Sequence, residues 1–181
     1  MFTSPTEDVS CVVESSEYMT LTVEVTGTPA PALQWQVSRD GGKTWENIEG
    51  ATEATYQALL PLSLHGAKFR CAATNKDGTT YSHTFTAYYC PAYLRGEFIQ
   101  GEIATITAGF YDGQTRYPIS SLTGVTAEYR WKYCRNVMPT EEEWAKIPPA
   151  GESYPITITD EMDYQCVCFH VTLTYPGNTV K

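Results

Sequence analysis

No stretch of this 181-residue chain approaches the roughly 18 to 20 apolar residues that a membrane-crossing helix needs, which excludes membrane insertion by a helix. Basic residues are scarce, 12 against 21 acidic ones, for a net charge of −9. Up to Tyr88 there are 10 acidic and 5 basic residues, and beyond it 11 and 7, so both halves are acidic (−5 and −4). A nucleic-acid binder must neutralise phosphates with a basic surface, and that class is excluded with it. An anionic membrane surface is disfavoured for the same reason. The start, MFTSPTEDVS, lacks a basic segment followed by an apolar one. It is not a signal peptide, and the expectation is a chain made and released inside a cell. Long helical periodicity, a Gly-rich phosphate loop and any recognisable catalytic motif are also missing. Yet 42% of residues are apolar and only 18% charged, which is too rich a core supply for a disordered chain.

What is present is strand material. Short period-2 runs rich in Thr, Val and Tyr recur between Gly, Pro and Asp turns. They predict strands at Val9–Glu14, Met19–Thr26, Ala32–Ser38, Thr44–Ile48, Ala54–Leu60, Lys68–Thr74 and Thr79–Tyr88. Asp40-Gly41-Gly42 and Lys76-Asp77-Gly78 read as turns, because Gly tolerates the positive φ that tight hairpins demand. Seven short strands at such spacing describe a β-sandwich. The second half repeats the first: Trp35, Trp45, Tyr56 and Cys71 are answered by Trp131, Trp144, Tyr154 and Cys168. The gaps are 10, 11 and 15 residues in the first copy and 13, 10 and 14 in the second. The additional residues fall in CRNVMPTEEEWAKI, where Thr140 and Glu143 predict a capping box on one short helical turn near 139–144. The expected architecture is all-β, two tandem sandwiches over 1–89 and 90–181, the second lacking most of its last strand.

The segment WQVSRDGGKTWENIEGATEATYQALLPLSLHGAKFRCAATNKDG resembles the immunoglobulin-like repeats of bacterial surface proteins and tailed-phage virion proteins. Those repeats read W-x-x-S-x-D-G-G-x-x-W, then G-A-T-x-x-T-Y, then Y-R-C before a D-x-x-G turn. The likeness spans Val9 to Tyr88 and is looser in the second half, where RWKY, EEEWAKI, SYPITITDEMDYQCVC and YPGN carry it. It implies an immunoglobulin-like fold with Val23 where antibody domains have the strand-B cysteine, so that Trp35 packs on Val23 and an unpaired Cys71. Trp131 and Cys168 are the corresponding core markers of the second copy.

Six cysteines (Cys11, Cys71, Cys90, Cys134, Cys166, Cys168) suggest three disulfides by number, but their spacing and the absence of a signal peptide favour reduced thiols. Cys166, Cys168 and His170 alternate on one strand face and offer soft donors. A tetrahedral zinc needs a second segment, however, so buried structural thiols are preferred and no metal or cofactor is expected. Cys134 reads as a half-exposed free thiol and Glu141-Glu142-Glu143 as a solvated first helical turn. His65, His83 and His170 have no partner suggested by sequence, so no catalytic residue is assigned and an enzyme is not expected.

Two features of the second copy point to docking. With Cys166 and Cys168 facing in, Val167, Phe169, Val171 and Leu173 form a second apolar face where an antiparallel sheet should be polar. Either a bulge shifts the register or something covers that face. After the turn at Pro176-Gly177-Asn178 little of a last strand remains, and an open edge templates strand addition. The alternatives are a tolerated short edge, or a gap filled by this domain's N-terminal strand. Val167, Phe169, Val171, Leu173, Tyr175 and Val180 are the expected docking residues. The resemblance implies a non-catalytic display protein. The first expectation is a phage virion component: a capsid decoration, auxiliary capsid or fibre-associated protein on the virion surface. Its partners would be other virion proteins, with weak host-surface or glycan binding, to which Tyr88, Tyr89 and Tyr93 would add stacking surface. The alternatives are a module of a bacterial cell-surface adhesin, or an accessory domain pair of a secreted glycan-active enzyme.

Overall fold

The computed structural model describes residues 1–91, 94–99, 104–134, 138–156 and 166–180, with 94–99, 104–106, 133–134, 156, 166 and 178–180 described by backbone alone. The chain divides into two compact units, Met1–Ala92 and Tyr93–Lys181. Both are immunoglobulin-like β-sandwiches.

Unit 1 contains β1 (Phe2–Ser4), β2 (Val9–Glu14), β3 (Tyr18–Thr22), β4 (Glu24–Val25), β5 (Ala32–Ser38), β6 (Glu46–Asn47), β7 (Thr55–Leu59), β8 (Ala67–Asn75), β9 (Gly78–Tyr81) and β10 (Phe85–Cys90). The larger sheet runs β2-β10-β8-β5-β6, with β9 also pairing β8, and β3-β7 and β1-β4 form the smaller pairs. β2 lies parallel to β10, whereas β10, β5 and β9 are antiparallel to β8. The run expected at Thr79–Tyr88 is two strands. At the break Ser82 replaces the ladder, its amide donating to Cys71 O and its hydroxyl accepting from Cys71 N. A buried hydroxyl thus satisfies backbone groups that a regular strand would have paired.

The unit 1 core follows from alternation. Leu21, Val23, Trp35, Val37, Phe69, Cys71, Ala73, Phe85 and Ala87 are buried. Trp35 lies directly opposite Cys71 across β5 and β8, and its ring contacts Tyr56 and Phe85 at 6.0 and 5.7 Å. Its indole N–H donates to Glu53 O at 2.9 Å, so the largest buried side chain carries no unmet donor.

Unit 2 contains β11 (Leu94–Ile99), β12 (Ala104–Asp112), β13 (Thr115–Pro118), β14 (Thr126–Cys134), α1 (Glu141–Ala145), β15 (Ser153–Ile156), β16 (Cys166–Tyr175) and β17 (Asn178–Val180). One sheet orders β11-β12-β13 with β15 also on β12; the other orders β14-β16-β17. The central tryptophan recurs: Trp131 stacks on Tyr154 at 5.7 Å and donates its indole N–H to Gly151 O at 2.9 Å. α1 starts with the expected capping box, Thr140 Oγ1 accepting from Glu143 N while Glu143 accepts from Thr140 N. The last strand, β17, pairs with β16 only through Leu173–Tyr175.

Candidate functional site

The local chemistry of the Ser38–Trp45 segment builds one side of the site. Asp40 accepts from Ser38 Oγ, Lys43 N, Thr44 N and Thr44 Oγ1, all at 2.6–2.9 Å. Four donors on one carboxylate favour its charged form, led by the Thr44 hydroxyl, and hold its pKa far below the ordinary 3.8. Between these anchors Gly41 and Gly42 take φ of +79° and +100°, values a Cβ resists. The loop then returns Gly42 O to accept from Trp45 Nε1 at 3.0 Å. Ser, Asp, Gly-Gly, Thr and Trp in this order therefore act as one device that seats Trp45.

Trp45 meets the outer face of the larger sheet. Gln36 lies opposite both Asn47 and Arg70, and Ala72 lies opposite Tyr81, so these side chains share one face. The Arg70 guanidinium carbon is 4.1 Å from the Trp45 ring centre and 3.8 Å from that of Tyr81. Arg70 Nε donates to Gln36 Oε1 at 2.9 Å, and Gln36 Nε2 donates to Asn47 Oδ1 at 2.8 Å. Partial burial lowers the Arg70 pKa, with Tyr81 opposing that shift. Tyr81 remains 50% exposed. The small Ala72 opposite it leaves room for the ring beside Arg70. The resulting surface is open, aromatic and amide-lined, with an immobilised cation at its centre.

The equivalent face of unit 2 differs. Trp131 lies opposite Phe169, and Lys132 opposite Cys168. Directly opposed residues share a face, so Phe169, and not Cys168, joins Trp131, their rings 5.2 Å apart. Val171, Leu173 and Tyr175 follow Phe169 into the core at 5, 2 and 1% exposure, and Val167 is on the same side. The expected docking face is thereby corrected: Phe169, Val171, Leu173 and Tyr175 line the interior. Val180 pairs its backbone with Leu173, and its side chain lies outside the described residues.

The physical reason is a one-residue offset, which moves a whole strand to the opposite face. Matching Cys71 to Cys168 gave gaps of 15 and 14 after the tyrosine. Matching it to Phe169 gives 71 − 56 = 15 and 169 − 154 = 15. Cys168 is buried on the other side of β16, clustered with Trp144 and the partly buried Ile147. His170 stacks on Trp144 at 5.5 Å and lies 3.5 Å from Glu141. The chain's own α1 segment covers the Cys168 and His170 side of β16, the side that the sequence reading takes as interior.

The expectation of reduced thiols holds for Cys11, Cys71 and Cys90, none of which is in a disulfide. It is corrected at Cys168, which is in a disulfide. Burial pushes the Cys11 thiol up to about 11. The side chains of Cys134 and Cys166 lie outside the described residues. Of the expected stacking tyrosines, Tyr89 is buried, Tyr88 packs its ring against His65 at 5.6 Å, and Tyr93 lies outside the described residues. The structure finds partners the sequence did not suggest for the histidines: His65 Nδ1 accepts from Tyr89 N, and His83 sits 3.5 Å from Asp8. Sequence analysis marks Trp45 as a repeat marker, and the facing of Arg70 and Tyr81 toward it comes from the register of β5, β8 and β9. The W-x-x-S-x-D-G-G-x-x-W spacing signals the loop that seats Trp45 and carries no signal for Arg70.

Residues 3–89 match a family described as a domain of unknown function (DUF8696). A 76-residue stretch, 42% of this chain, is 32% identical to a region of endoglucanase C from Cellulomonas fimi. That region is 7% of the endoglucanase, so this chain spans a small fraction of its relative's length. Among solved structures, the N-terminal four Ig domains of Dscam1 isoform 7.44 align at TM-score 0.57 and 12% identity, over 99% of this chain and 43% of that one. Eight N-terminal Ig domains of a Down syndrome cell adhesion molecule isoform align at 0.53 and 13%, over 96% of this chain and 21% of theirs. At such identities the likeness concerns the fold, and it is immunoglobulin-like throughout.

Proposed function

We propose that this chain is a non-catalytic display protein of a phage virion, a capsid-decoration, auxiliary capsid or fibre-associated subunit that docks through unit 2 and projects unit 1. The contrast between the two outer sheet faces carries this reading. Unit 1 keeps its aromatic and amide face open, whereas unit 2 closes the same face with α1, as suits one presenting and one anchoring module. Docking then falls to the short edge strand β17 rather than to the interior side chains of β16. The acidic surface suits the outside of a particle, away from packaged DNA. Weak single-site binding to a host surface or glycan gains strength from many copies.

A second reading, a module of a bacterial surface or secreted glycan-active protein, is favoured by the endoglucanase match. Quantitative mass spectrometry of particle, envelope and soluble fractions from the source culture separates the two. Stoichiometric recovery with a major capsid or tail protein supports the virion reading. Recovery in the envelope, or with peptides extending past Lys181, overturns it in favour of the second.

A further inference from the structure

Unit 1 is acidic, yet its cations are not spread evenly. Its five are Arg39, Lys43, Lys68, Arg70 and Lys76. Lys76 sits in the β8–β9 turn beside Asp77 at 2.6 Å. The other four belong to β8 (Lys68 and Arg70) and to the loop that carries Trp45 (Arg39 and Lys43). Arg39 is paired with Glu46, and Asp40 sits in the same loop, so these four cations exceed those two carboxylates by two. The stem of Lys68 runs beside Gly42, within 3.8 Å of where a Cβ would stand. Remote carboxylates act weakly on this patch, because the screening length at physiological salt is about 8 Å.

We propose that this face binds carboxylate-bearing saccharides, with Arg70 receiving the carboxylate and the half-exposed Tyr81 ring supplying apolar surface to a sugar. The inference rests on the reading of unit 1 as the presented module, and it names that module's ligand class. Among the described residues Arg70 spends only Nε on a protein hydrogen bond, to Gln36, so the rest of its planar donor fork remains for a carboxylate. The Trp45 and Tyr81 rings hold the guanidinium, lowering the ordering cost of that fork. Asn47 accepts from Gln36 through Oδ1 and keeps its amide N–H groups for sugar hydroxyls. Trp45 acts as a positioning residue, fixed by its own bond to Gly42.

The test titrates the full chain with tetragalacturonic acid and with its methyl ester, which keeps the rings and removes the charge. The free acid is expected to bind at least tenfold more tightly than the ester, and less tightly as salt rises. Arg70→Gln brings the acid down to the ester's level and Arg70→Lys falls between, while Lys76→Gln, the same charge change off the face, leaves binding intact. The acid–ester comparison on the unaltered chain stands even if a substitution at Arg70 disturbs the sheet. Equal binding of acid and ester, no binding of the acid at millimolar concentration, or equal losses from Lys76→Gln and Arg70→Gln would overturn the proposal. Fractionation of the source culture reads the display role separately, so either inference can fail while the other stands.

Discussion

At the level of single side chains, Asp40 shows how one exposed carboxylate organises a loop that carries a larger residue. Its folded pKa is depressed below the ordinary 3.8, so its contribution is fully present above that value. The contribution is lost as pH falls through and below the ordinary carboxylate range. Unit 1 is therefore expected to lose stability on acidification from pH 5 toward pH 2. Asp40→Asn should flatten that dependence and lower the melting temperature at neutral pH. A thermal melt series of both proteins checks it, and parallel curves would mean that Asp40 is not responsible. Trp35 is the opposite kind of residue, wholly buried and satisfied by Glu53 O. Trp35→Ala should cost about 3–5 kcal/mol in denaturant unfolding. The W-x-x-S-x-D-G-G-x-x-W spacing was legible because Asx and Gly chemistry is local. That Arg70, 25 positions after Trp45, lies against its ring was not, since it depends on β5 and β8 pairing.

Among the elements, β16 was the hard case. Both of its faces are apolar, so alternation identified a strand without saying which side was interior. The β14 register decides it, because Trp131 opposes Phe169. Val171→Asp or Leu173→Asp should therefore collapse unit 2, seen as lost protection of β14 and β16 amides in hydrogen exchange. Thr174→Asp, on the exposed side, should change stability by under about 0.5 kcal/mol. The reverse pattern would restore the outer-face reading of these valines and leucines. The helix α1 was legible in part. Its capping box is a local signature, whereas its role as cover for Cys168 and His170 depends on where the β14–β15 connection folds back. Thr140→Ala should cost unit 2 about 1 kcal/mol, as loss of an N-cap does, measured by chemical denaturation.

For the whole molecule, the two units share a fold but divide their chemistry. The described cysteines outside any disulfide all belong to unit 1, and the disulfide of Cys168 belongs to unit 2. Reductant should lower protection across β14 and β16 by the equivalent of about 2–5 kcal/mol and leave unit 1 amides unchanged, read peptide by peptide in hydrogen exchange. Loss in unit 1 instead would contradict the absence of a disulfide at Cys11, Cys71 and Cys90. From the sequence by itself came the all-β class, the tandem arrangement, the turns at Asp40-Gly41-Gly42 and Lys76-Asp77-Gly78, and an acidic surface unsuited to nucleic acid. Each of these rests on composition or on neighbours a few residues apart. Only the tertiary structure decided which face of β16 is interior, what covers its other face, and that Trp45, Arg70 and Tyr81 meet. Those depend on cross-strand register, where a slip of one residue reverses every side chain and leaves the alternation of the sequence unchanged.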